Sequence, residues 1–152
     1  MAANDATDVP GPRSRVISDG PTPSGIGMMA GNYARLYHLT GAPKYRAAAD
    51  AVLAAYGGRP ELLAGSPTLL AAADCLENAA CVVIVGGDAA LVQAALAVPD
   101  PAVVVLQIGA GQILSADHPA YGKDTAGAFV CRGGVCALPV TTAAQLAALC
   151  AR

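Results

Sequence analysis

Tryptophan is absent from the 152-residue chain, phenylalanine occurs once, and charged residues make up only 13%, against about 25% in ordinary soluble domains. With so few large aromatics, the core must be assembled from small and branched aliphatic side chains. Alanine supplies much of the 55% hydrophobic fraction and removes little area from water per residue. The shortage of charge leaves too few ionic groups to dress the whole surface of a lone copy, so part of it is expected to face another protein surface or self-associate. The net charge is −2 with no basic run, so there is no nucleic-acid footprint and no broad field to attract acidic substrates. A long uninterrupted apolar run is also missing. The most apolar window, "CVVIVGGDAALVQAALAVP", carries Asp88 and Gln93 and ends at Pro99, which argues against a bilayer span and a membrane partner. The opening stretch, "MAANDATDVPGPRSRVISDG", has no apolar core segment and reads as a flexible lead-in over residues 1–16, not a secretory signal. A soluble, cytoplasmic protein is the expectation.

The residues that carry chemistry are sparse. Five cysteines (75, 81, 131, 136 and 150) form an odd count, which is no disulfide framework for a secreted protein. A closed zinc site needs four ligands, whereas only Cys131 and Cys136 have plausible local spacing, so no metal is expected. Gly86-Gly87 lies where phosphate loops lie, but "VGGDAAL" lacks the third glycine of a dinucleotide fingerprint and the Gly-Lys-Ser/Thr of a P-loop. Asp88 also puts a carboxylate where a phosphate would sit, so no cofactor is expected. The two histidines, His38 in a helical apolar pattern and His118 in a loop, accompany no nucleophile motif, and catalytic residues stay unassigned.

Local patterns divide the chain. Ser24 is a natural N-cap for a helix with Ile26, Met29, Tyr33, Leu36 and Tyr37 at helical spacing and Gly41 as its stop. Gly27, Gly31 and Ala34 make a second stripe of small residues that lets another backbone come close. Pro43 opens a second helix ended by Gly57-Gly58, and a third is predicted from Ser66-Pro67 to about Asn78, after a turn of "RPELLAG". From residue 81 the texture changes. "CVVIV" reads as a buried parallel strand, Asp88 as the cap of a helix, and "AVVVLQI" at 102–108 as a second strand, together a β-α-β unit with the usual right-handed crossover. "GAFVCRGGVCALPV" reads as a β-hairpin and "TTAAQLAALCAR" as a closing helix capped by Thr141 or Thr142.

Within that hairpin, Gly133-Gly134 at the centre of a two-residue turn makes Arg132 and Val135 the closing pair. Cys131 and Cys136 become the next cross-strand pair, with Cα atoms about 4.5 Å apart, just inside the range a disulfide accepts. Three readings stay open: two small apolar side chains packing, a structural or reversible disulfide, or a catalytic dithiol. Arg132 points to the opposite face and is not placed to activate Cys131.

Two stretches, "DGPTPSGIGMMAGNYARLYHLTG" and "AFVCRGGVCALPVTT", flanking "VVIVGG", resemble the C-terminal part of the thioredoxin-domain-containing proteins related to spermatogenesis-associated protein 20. The likeness covers roughly residues 17–150. It implies a mixed α+β chain, in which the last helical hairpins of an (α/α) toroid over 17–80 precede a small α/β appendage over 81–152. The toroid is similar to N-acylglucosamine 2-epimerases and six-hairpin glycosidases, and the family's upstream toroid and thioredoxin-like domain are implied as missing partners. In the family motif Asp-x-x-x-Pro-Ser-Gly-Asn, which faces the central cavity, Asp19, Pro23, Ser24 and Gly25 match, and Ile26 stands at the Asn position. Asp19, Ser24 and Gly25 are thus the implied substrate-binding residues for a small-molecule sugar, and the family's paired cysteines match Cys131 and Cys136. The functional expectation is a C-terminal fragment or truncated member that supplies cavity wall without self-sufficient catalysis. The alternatives are a portion of a carbohydrate-active enzyme and a thiol-redox module using Cys131 and Cys136.

Overall fold

The computed structural model describes residues 16–109, 111, 112 and 114–151, which carry six helices and a four-stranded mixed sheet. The lead-in assigned to residues 1–16 falls almost wholly outside the described residues. Helix α1, Gly25–Thr40, starts where Ser24 Oγ accepts from the Gly27 N–H at 3.1 Å. It stops at Gly41, whose φ of 70° lets its N–H return to the Tyr37 carbonyl. A Cβ at Gly41 would come within 2.6 Å of the His118 backbone nitrogen, so both the turn and the close approach require glycine. Helix α2, Pro43–Gly57, and α4, Pro67–Asn78, each open on proline in the first turn, where the missing N–H costs nothing. The segment read as a simple turn between them contains a single helical turn, α3, Pro60–Leu63, again opened by proline.

Helix α1 packs against α2 and α4 through its small residues. Gly27, Ala30 and Ala34 are its buried positions, while Ile26, Met29, Tyr33, Leu36 and Tyr37 are only partly buried. The small stripe wins the deepest contact because it lets the α1 and α4 backbones approach: a Cβ on Gly27 would lie 2.8 Å from Thr68 Cβ.

The sheet consists of β1 (Ala80–Val85), β2 (Val103–Ile108), β3 (Gly127–Arg132) and β4 (Val135–Cys136), in the order β2-β1-β3-β4. Strand β1 runs parallel to β2, with α5, Ala89–Leu96, between them in the chain, and antiparallel to β3. All six β1 residues are buried, which is why its sequence is a continuous apolar run and not an alternating one. On one face Ala80, Val82 and Ile84 of β1, with Ala128 and Val130 of β3, pack on α5 and on α6, Ala143–Cys150. On the other, Cys81, Val83, Val85, Phe129 and Cys131 pack with Ala120 of the long loop. Ala34, Ala49, Cys75 and Leu76 of the helical segment share a cluster with Ala102 and Val104. The core therefore runs continuously across the change from helix to strand at residue 80. Arg35 adds a polar tie, donating to the Pro101 carbonyl at 2.7 Å. Among the described residues, no helix is long and apolar enough to cross a membrane.

Candidate thiol and disulfide site

Gly133 and Gly134 both adopt positive φ, 54° and 84°, the backbone that a tight two-residue turn needs. With the turn placed there, Arg132 pairs with Val135 and Cys131 with Cys136. The two cysteines are joined as a disulfide pair, with Cα atoms 3.9 Å apart, closer than the roughly 4.5 Å expected of a non-hydrogen-bonded cross-strand pair. The Arg132 side chain does lie away from the sulfurs. Its guanidinium donates to the Leu149 carbonyl at 2.9 Å and the Cys150 carbonyl at 3.2 Å, covering carbonyl groups at the C-terminal end of α6 that have no helical partner. Cys136 is partly exposed and Cys131 is buried. The Cys136 sulfur sits 3.4 Å from the Pro119 carbonyl oxygen; in the disulfide this is a contact, and in a dithiol the S–H could donate there.

A cavity of about 240 Å³ adjoins this turn. Its lining includes Cys131, Gly133 and Gly134, the neighbouring Cys81, and His38, Arg46 and Glu77 from the helices. Arg46 is held in place by Glu77 and by Asp50, the latter at 3.1 Å. Cys81 lies directly opposite Cys131 in the β1–β3 register. Its thiol donates to the His38 carbonyl at 3.3 Å, and burial pushes its pKa up to about 12.

Both histidines organise backbone. His118 Nε2 donates to the His38 carbonyl at 3.0 Å, and its Nδ1 accepts from the Ala120 N–H at 3.1 Å. A ring nitrogen that accepts must be unprotonated, so His118 is the neutral Nε2–H tautomer, and burial lowers its pKa. His38 Nε2 donates to the Cys75 carbonyl at 2.9 Å, and burial lowers its pKa as well. The last turn of α1 is thereby tied to the end of α4, to the loop and to β1.

The residues implied by resemblance as substrate-binding lie at the other end of α1. Ser24 and His38 are separated by about 21 Å along the helix at 1.5 Å per residue. Asp19 Oδ1 accepts from the Ser24 N–H at 2.7 Å, while Oδ2 accepts from the Thr68 N–H at 2.7 Å and from the Thr68 hydroxyl. These hydrogen bonds, that of the Thr68 hydroxyl foremost, hold the Asp19 carboxyl down at about 2. Ser24 is buried as a cap, and Gly25 is the exposed first residue of α1. The fold brings Asp19 and Ser24 together, but on protein donors and away from the cysteines.

Sequence reasoning missed Cys81 as a neighbour of the pair, and the convergence of Cys81 and His118 on one carbonyl. No local pattern encodes either, because both depend on β1 pairing with β3 and on the path of the loop. Among the described residues, no group of three or more His, Cys, Asp or Glu side chains is placed to hold a metal ion. Compared with known proteins, the chain matches no family model, no curated protein and no solved structure.

Proposed function

We propose that the chain is a thiol–disulfide module whose working centre is Cys131 and Cys136. The observation that carries this reading is a disulfide at the edge of the sheet, one sulfur partly exposed and the other buried, beside a cavity. Closing so short a loop contributes only about 2 kcal/mol by the chain-entropy relation, a minor part of the roughly 5–15 kcal/mol of net stability usual for a domain. On this reading the fold outlasts opening of the bond, and the pair can cycle. In the dithiol state the Cys136 thiolate attacks a client disulfide, forming a mixed disulfide and releasing one client thiolate, which takes up a proton. The Cys131 thiolate then attacks the Cys136 sulfur, restoring the Cys131–Cys136 bond and releasing the second client thiol. The pair loses two electrons, and the client disulfide gains them.

The test is to mix the reduced chain with an aromatic disulfide and follow aryl thiolate release. Two equivalents in a fast phase are expected, with one equivalent and a stable mixed disulfide in Cys131→Ser. No fast phase at the pair, with both cysteines still alkylatable afterwards, would contradict the reading.

A second reading is supported by Met28 and Leu70, large apolar side chains of α1 and α4 that are each 48% exposed. In it, α1, α2 and α4 are the end of a longer helical array, completed by an upstream toroid segment or by a second copy. Sedimentation of the purified chain should then show self-association, and a single non-associating particle at all concentrations would count against it. The carbohydrate alternative gains no support at Asp19, whose oxygens are taken up by Ser24 and Thr68.

A further inference from the structure

The strand registers place Cys81 opposite Cys131, and Cys131 opposite Cys136, on three adjacent strands. Directly paired residues project to the same face of a sheet, so the three cysteine side chains leave the sheet on one face, on adjacent strands in the order 81, 131, 136. All three belong to or pack against one apolar cluster, and the cavity is lined by both Cys81 and Cys131. Thiol–disulfide exchange proceeds by attack on one sulfur of a disulfide in line with the leaving sulfur. Successive strands that carry the attacking, central and leaving cysteines have that order built in. A hydrogen-bonded antiparallel pair has Cα atoms about 5.5 Å apart, within the span that a disulfide bridges. The Cys81–Cys131 pair is of this kind, because Val130 turns its carbonyl to β4, accepting from Ala137, and the next residue turns its backbone groups to β1.

We infer that Cys81 is a third member of the centre, an internal exchange thiol that takes the bond from Cys136 and leaves a thiol exposed at the sheet edge. The inference deepens the reading of Cys131–Cys136 as an exchangeable pair and rests on it. The Cys81 thiol loses its proton, and its thiolate attacks the Cys131 sulfur. The Cys81–Cys131 bond forms as the Cys131–Cys136 bond breaks, and Cys136 leaves as a thiolate that takes up a proton. One disulfide and one thiol are present before and after, so no oxidant or reductant is consumed. Cys81 is 3% exposed and Cys131 2%, whereas Cys136 lies at the edge. The exchange therefore moves the disulfide inward and presents Cys136 to small thiols and disulfides. The high pKa of Cys81 keeps its thiolate scarce near neutrality, so the exchange should be slow there and about tenfold faster per pH unit.

The experiment is linkage mapping by mass spectrometry of the oxidised full chain, incubated without reductant between pH 7 and 9, quenched in acid, alkylated and digested. The expected result is a growing fraction with Cys81 linked to Cys131 and Cys136 alkylated, absent in Cys81→Ala. As a trap, Cys136→Ser treated with oxidised glutathione should form the Cys81–Cys131 bond, with Cys75 and Cys150 unlinked. Cys81 remaining an unlinked thiol in both experiments, while wild-type Cys131–Cys136 still opens and closes in glutathione buffers, would overturn this inference alone. A Cys131–Cys136 pair that neither opens nor closes in those buffers would instead overturn the reading beneath it.

Discussion

At Gly27 a single methyl group decides how closely α1 can approach α4. Its Cβ would meet Thr68 Cβ at 2.8 Å and the Leu69 nitrogen at 3.0 Å, so Gly27→Ala must move a backbone and should destabilise the fold by roughly 1–3 kcal/mol. Gly31, one turn on, has room: its Cβ would sit 3.9 Å from Ala72 Cβ. Gly31→Ala should therefore be neutral or stabilise by up to about 1 kcal/mol through helix propensity. Urea unfolding of the two variants checks the contrast. The stripe of small residues was legible in the sequence; which glycine touches backbone was not, because that depends on the crossing of two helices. Cys136→Ser removes the disulfide and should cost about 2 kcal/mol, and wild-type protein held in excess reductant should show nearly the same loss. A loss well above that would mean that the bond organises more than its own turn.

Element by element, three caps were readable, because a Ser, Asp or Thr oxygen ahead of an apolar run can accept from the first free N–H groups of a helix. Ser66, ahead of α4, instead turns its hydroxyl to the Ile17 and Leu62 carbonyls. Ser24 and Asp88 occupy the cap positions expected of them, as does Thr142 for α6. The parallel β1–β2 pair with its intervening helix was also legible, because the apolar runs and the Gly86-Gly87 turn are local signals. The position of β3 beside β1 was not, since strand order is a property of the assembled sheet. Asp19 shows how one residue can join elements, its carboxylate linking the start of α1 to the start of α4. Its folded pKa of about 2 lies below the ordinary 3.8. The unfolded chain therefore binds the proton first, and the contribution is fully present above 3.8 and is lost as pH falls through 2. Stability measured across pH 5 to 2 should fall less steeply in Asp19→Asn than in wild type, and Asp19→Asn should already be weaker at pH 7. Parallel curves offset by a constant would contradict the link.

For the molecule as a whole, one carbonyl joins the two halves of the chain: His38 O receives both the His118 imidazole and the Cys81 thiol. Burial lowers the pKa of His118, and of His38, below the ordinary 6.5. The unfolded state thus takes up protons first as pH drops, so stability is intact above 6.5 and declines below it toward the folded values. Urea midpoints should fall between pH 7.5 and 5.5, and His118→Gln should flatten that slope; an unchanged slope would remove His118 from the account. The two-glycine turn made the Cys131–Cys136 register readable from the local sequence, whereas the third cysteine beside them needed the sheet. The most direct test of the central claim is quantitative alkylation of Cys131 and Cys136 in the full chain across a series of glutathione buffers. At pH 7, where exchange with Cys81 is slow, both cysteines should pass together from alkylated to protected as a two-electron couple within the glutathione range. A pair that stays fully reduced, or fully bonded, from one end of the series to the other would contradict it.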